Sequence, residues 1–136
     1  MRVWPALIPR LITLGWAGWA TATSWAYVDE TPEPLVLIES IVHIPIWIVW
    51  ALIAAILIVG SVIPPGLRIS PAGSWLRIIG MAMIAAAVVL WTWGFLDSDW
   101  GRGWVSAKNY GLIAVAAAGS AWITGRERHR VVKHDS

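Results

Sequence analysis

The chain has 136 residues, of which 58% are hydrophobic and 13% charged, with a net charge of +2 and a mean hydropathy of +0.68. Soluble domains carry about a quarter charged residues, so this surface is too poor in charge for one and the membrane class leads. The absence of cysteine excludes disulfides and thiolate metal sites, and so small a net charge makes no case for nucleic acid as a partner.

A helix crosses the hydrocarbon core with about 20 mostly apolar residues. The expected fold is therefore an all-α integral membrane protein, a bundle of four transmembrane helices with short loops. The first span is expected over 6–28, where "GWAGWATATSW" mixes large rings with near-absent side chains. The same stretch also has features of a cleavable signal peptide, a basic start and an apolar run before "SWA". Spans over 35–63, 75–96 and 110–125 follow, separated by "PPGLRISPAGS" and other stretches rich in helix-ending residues. Residues 1–125 form the transmembrane domain in this reading, and 126–136 a basic cytoplasmic tail.

Orientation follows from Lys and Arg in short loops. Arg2, Arg10, Arg68, Arg77, Arg126, Arg128, Arg130 and Lys133 collect on one side, and Arg102 and Lys108 on the other. Six acids, Asp29, Glu30, Glu33, Glu39, Asp97 and Asp99, fall opposite the larger basic group. The expectation is a multi-pass protein of a bacterial inner membrane with both termini cytoplasmic. Its tail, through Arg126, Arg128, Arg130 and Lys133, meets anionic lipid.

Helices in lipid associate by close approach along small residues. Three stripes offer this at 100° per residue: Gly15, Gly18, Ala22 and Ala26; Gly80, Ala87 and Gly94; and Gly111, Ala114, Ala118, Ala121 and Gly125. They serve packing within the bundle, or a second copy. Of the twelve tryptophans, Trp4, Trp75 and Trp122 suit an inner headgroup belt, and Trp25, Trp91, Trp93, Trp100 and Trp104 an outer one. Trp16, Trp19, Trp47 and Trp50 are expected near mid-span, with their N–H groups served by Thr13, Thr21, Thr23 or a carbonyl freed by Pro45.

Glu39 and His43, four residues apart, form the candidate ionisable pair, expected near the outer headgroups. Arg10 and Arg77 are expected to snorkel at the inner boundary. No pair of membrane-depth histidines offers itself to haem, and no phosphate loop or metal-ligand cluster stands out. No cofactor is expected, and no enzymatic activity. The format (four short spans, tiny loops, a basic tail, an Ala/Trp/Arg-rich composition) resembles small membrane proteins of actinobacteria and their phages, holins among them. That resemblance implies a self-associating protein that permeabilises the membrane. The alternatives are an accessory subunit of a larger membrane complex and a small transporter working through Glu39 and His43. The partners expected are the bilayer and further copies or a larger membrane complex.

Overall fold

The computed structural model describes residues 4–64, 70–98 and 100–134, with the side chains of 4–6, 70, 98, 100–102 and 127–134 outside the description. The described chain is all helical. It comprises α1 (Trp4–Ala26), α2 (Glu33–Val42), α3 (Ile46–Val62), α4 (Ser70–Ser98) and α5 (Trp100–His134).

The second expected span is broken. Pro45 has no N–H to give Ile41, and its ring disfavours helix at the residue before it. The chain responds by ending α2 on His43, which takes the left-handed conformation at φ 58° and returns its backbone N–H to Glu39 O. Its ring Nδ1 donates to Ile41 O at 2.9 Å, supplying the hydrogen bond that Pro45 withholds. α3 then restarts from Pro45 as its N-cap, at 74° to α2.

The last connection also differs from expectation. Residues 100–109 are helical, and α5 runs for 35 residues, through the segment expected to be a tail. Gly103 makes the tight α4–α5 hairpin feasible, because a Cβ there would run into the Phe95 carbonyl.

α1, α3, α4 and α5 run alternately up and down, and buried residues recur along α1, α3 and α4 at alternating steps of three and four, and along α5 at steps of three, four and seven. They are Thr13, Ala17, Ala20 and Ser24 on α1, and Ile46, Trp50, Ile53, Leu57 and Gly60 on α3. On α4 they are Met81, Ile84, Val88 and Trp91, and on α5 Gly103, Ala107, Ala114, Ala117 and Thr124. That spacing turns one face of each helix toward its neighbours. α4 and α5 make the most extensive pair, followed by α1 with α3 and α3 with α4. α2 leans on the upper part of α4, where Gly94 admits the Pro34 carbonyl and the Ile38 side chain.

Among the described residues, α4 over Pro71–Asp97 is the one helix long and apolar enough by itself to cross a membrane; α2 and α3 meet that measure only as a bent pair. α1 carries Arg10 and three threonines, and α5 mixes charges into both of its ends, which dilutes their apolarity.

Candidate functional site

The bundle turns an apolar surface outward. Between Trp75 and Trp93, the exposed residues of α4 are Ile79, Ala82, Ala86, Val89 and Leu90. Between Asn109 and Trp122, those of α5 are Leu112, Val115, Ala116, Ala118 and Gly119. Trp75 and Trp93 are 18 residues apart, as are Trp104 and Trp122, and all four rings are exposed, Trp93 to 71% and Trp122 to 67%. Eighteen residues make five full turns, so each pair shares a helix face with its rings about 27 Å apart along the axis. Because α4 and α5 are antiparallel, Trp93 lies at the same end as Trp104, and Trp75 at the same end as Trp122. The exposed Trp25 joins the first pair.

Those two ends differ in charge. The exposed Asp29, Glu30, Glu33 and Asp97 gather at the Trp93 end, with Lys108 among them. At the other end, Arg10 donates to Ile63 O, and Arg77 to Gly60 O at 2.8 Å. Both arginines thus serve carbonyls that the end of α3 leaves without intrahelical partners, where a cation also meets the negative pole of the helix. Arg126 lies over the Trp122 ring, 5.4 Å from its centroid. Arg68 lies outside the described residues, as do the side chains of Arg128, Arg130 and Lys133.

Inside, seven rings form a continuous chain of contacts across the bundle, edge-on except at its Tyr110–Phe95 end. Trp16 meets Trp19, Trp19 meets Trp50 and Trp50 meets Trp91, at centroid distances of 5.9, 5.0 and 5.2 Å. Trp91 also meets Tyr27 and Tyr110, and Tyr110 stacks on Phe95. Trp91 was expected in the outer belt but is 3% exposed and forms the hub of this core. Trp47 and Trp50 lie in the first two turns of α3, which begins at Ile46.

The threonines do not accept from the indoles. Thr13, Thr21 and Thr23 donate to the carbonyls of Pro9, Ala17 and Trp19, four residues back in their own helix. The acceptor for Trp16 Nε1 comes from α5 instead, as Ser120 Oγ at 3.0 Å. Ser24 Oγ donates to Trp47 O and ties α1 to the start of α3.

The small-residue stripes have different fates. Gly80 and Gly94 are buried against Leu57 and against α2, with Ala87 half-buried beside them. Gly15, Gly18 and Ala22 face outward, and a Cβ on either glycine would meet nothing within 4 Å. On α5, Ala114 is buried and Ala121 half-buried, Gly125 comes near Ile78, and Gly111 and Ala118 point away from the core contacts. Sequence reasoning missed a close backbone approach between α3 and α4. A Cβ on Gly60 would lie 3.0 Å from the Arg77 nitrogen and the Gly73 oxygen. Both glycines are visible in the sequence, but a search within single helices does not pair them.

Among the described residues no ion pair links the side chains of Glu39 and His43: the two meet only through the backbone, where the His43 N–H donates to Glu39 O, and the His43 ring turns to Ile41 O. Glu39 lines an apolar cleft of about 240 Å³ between the α2–α3 elbow and α4. No group of three or more potential metal ligands occurs among the described residues. No protein-family model, curated protein or solved structure matches this chain.

Proposed function

We propose that this chain is a four-pass protein of a bacterial inner membrane that works by lateral self-association, most concretely as a holin-like permeabilising protein. α1, the bent α2–α3 pair, α4 and α5 are the four passes, with the arginine end cytoplasmic. The observation that carries this reading is the doubled tryptophan pair. On α4, exposed rings about 27 Å apart with only aliphatic and small residues exposed between Trp75 and Trp93 match two headgroup levels flanking a hydrocarbon core roughly 30 Å thick; Trp104 and Trp122 repeat the spacing on α5, with Lys108 and Asn109 exposed about a turn inside Trp104. Large hydrophobic residues exposed along every helix, as here, are the kind of surface that marks a membrane or partner contact. Arg10 and Arg77, spent on α3 carbonyls at one end, leave their charge where the positive-inside rule places it. Self-association draws support from Gly15, Gly18 and Ala22 on α1 and from Gly111, Ala118 and Gly119 on α5, small residues with room for a close neighbour.

The test has two parts. Reporter fusions at Glu33 and Asp97 should read as periplasmic and one at Ser136 as cytoplasmic; a reversed pattern ends the topology. Inducible expression should then give a delayed, abrupt loss of membrane potential, because individually weak contacts assemble only at high surface density. Accumulation to high density without depolarisation would favour the accessory-subunit reading.

A further inference from the structure

We infer that α2 lies flat at the outer headgroup level, an amphipathic wedge seated in the phospholipid of one leaflet, while α3 alone carries the crossing of the bent pair. The inference deepens the membrane reading above and rests on it. At 74° to α3, α2 turns close to the plane that α3 crosses. The 17 residues of α3 make about 25 Å of helix, enough to pass through most of the hydrocarbon core without α2.

Both ends of α2 are held at one level of the bundle. Near its start, Pro34, Leu35 and Ile38 pack on Gly94, one residue beyond the exposed Trp93. Past its end, Ile46 stands one turn before Trp50, and Trp50 meets Trp91. Because α3 and α4 are antiparallel, Ile46 comes level with the turn of α4 that holds Gly94 and Phe95. Trp93 marks the outer headgroups in the membrane reading, and α2 shares its depth.

The faces of α2 are sorted to match. At 100° per residue, Leu35, Ile38, Val42, Ile41 and Leu37 cover one arc. Glu39, Ser40 and Glu33 cover the other, with Val36 the one apolar residue among them. Within the apolar arc, α4 covers Leu35, but Leu37 and Ile41 stay exposed, to 58% and 68%. Ile38 and Val42 line the apolar cleft of about 240 Å³, which reaches from α2 toward mid-bundle at Ile53 and Met83. The apolar arc is therefore turned to the acyl side. An interfacial helix sinks its apolar face about 5–10 Å into the boundary between headgroups and acyl chains, which removes side chains such as Leu37 and Ile41 from water. A wedge in one leaflet adds area to that leaflet alone, so accumulating copies strain the bilayer unequally, which suits a permeabilising protein.

The chain has no cysteine, so single nitroxide-labelled cysteines report depth without background. Glu33→Cys, Leu37→Cys, Ser40→Cys, Ile41→Cys and Val115→Cys are all exposed positions where a label needs no repacking. Each labelled full chain is placed in phosphatidylcholine liposomes, and its spin relaxation by oxygen is compared with that by a water-soluble nickel chelate. Depth is expected to follow the face: labels at 37 and 41 in lipid at similar depth, those at 33 and 40 in water. A helix continuing the line of α3 gives instead a ramp of about 1.5 Å per residue from 33 to 41. That ramp, or one environment shared by all four labels, overturns the proposal. Val115 lies midway along the exposed apolar surface of α5. Water at Val115 overturns the membrane reading and this one with it; lipid there with either failing pattern on α2 overturns this one alone.

Discussion

The acidic and basic ends of the bundle hold the same helices together in different ways. At the basic end, α3 and α4 touch backbone to backbone through Gly60 and Gly73, and arginines from α1 and α4 finish the α3 carbonyls. Toward the acidic end, Trp19, Trp50, Trp91, Tyr27, Tyr110 and Phe95 occupy the interior. The difference follows from the elbow at Pro45. Where α2 leaves the line of α3, the bundle has volume to fill, and rings with edge-to-face contacts fill it while keeping a defined geometry. Where α3 and α4 converge, any side chain is in the way. Apolar composition alone does not distinguish these ends; the size of residues at facing positions does.

The largest expected effect tests the aromatic end. Trp91→Ala empties the hub and should cost about 3–5 kcal/mol of stability, read as a shifted denaturation midpoint in mixed micelles. A smaller loss than that of Gly60→Ala would show that the rings are not what organises that end.

Glycine contacts come next. Gly60→Ala sets a methyl against α4 backbone and should cost about 1–3 kcal/mol. Gly80→Ala meets the side chains of Leu57 and Ile56 and no backbone atom, so its loss should be smaller in the same assay. Reversal of that order would mean the α3–α4 approach is looser than Gly60 and Gly73 imply.

Arginine capping ranks below both. Arg77→Met and Arg10→Met should each cost about 1–2 kcal/mol, the scale of a charged hydrogen bond at a helix C-terminus. Their sum should fail to add, because both serve the same end of α3. Strict additivity in a double-mutant cycle would separate the two caps.

The smallest effects belong to the outward stripes. Gly15→Ala and Gly111→Ala meet nothing, and should raise helix stability by up to about 1 kcal/mol. Ala118→Leu, on an exposed position, should leave monomer stability within about 0.5 kcal/mol while changing the oligomer distribution seen by cross-linking in the membrane. An unchanged distribution would remove α5 from the self-association surface.

Particular residues show how far the sequence could be read. The helix break was legible in "HIP", since a residue before proline resists the helix, yet the long apolar run around it argued for continuity. The Ala114, Ala118 and Gly125 stripe was legible as small residues but its facing was not. In "AVAAAGSA" nearly every position is small, so the Ala114–Ala117–Ala121 row and its neighbour through Ala118 look alike until α4 selects one. Ser120 as the partner of Trp16 was invisible for a related reason: hydroxyls usually bond within their own helix, as Thr13, Thr21 and Thr23 do here.

The sequence by itself determined an all-helical chain, because long apolar runs with few charges satisfy their backbone groups most simply in helices. It also determined the segregation of arginines from acids, which the order of charges along alternating helices dictates once the helices are drawn. Only the tertiary structure decided which tryptophans are core and which are surface, which glycines are contacts, and where Glu39 meets a cleft. Those outcomes depend on the helix faces turned toward neighbours, and in a chain apolar on every side, no periodicity marks one face as the inner one.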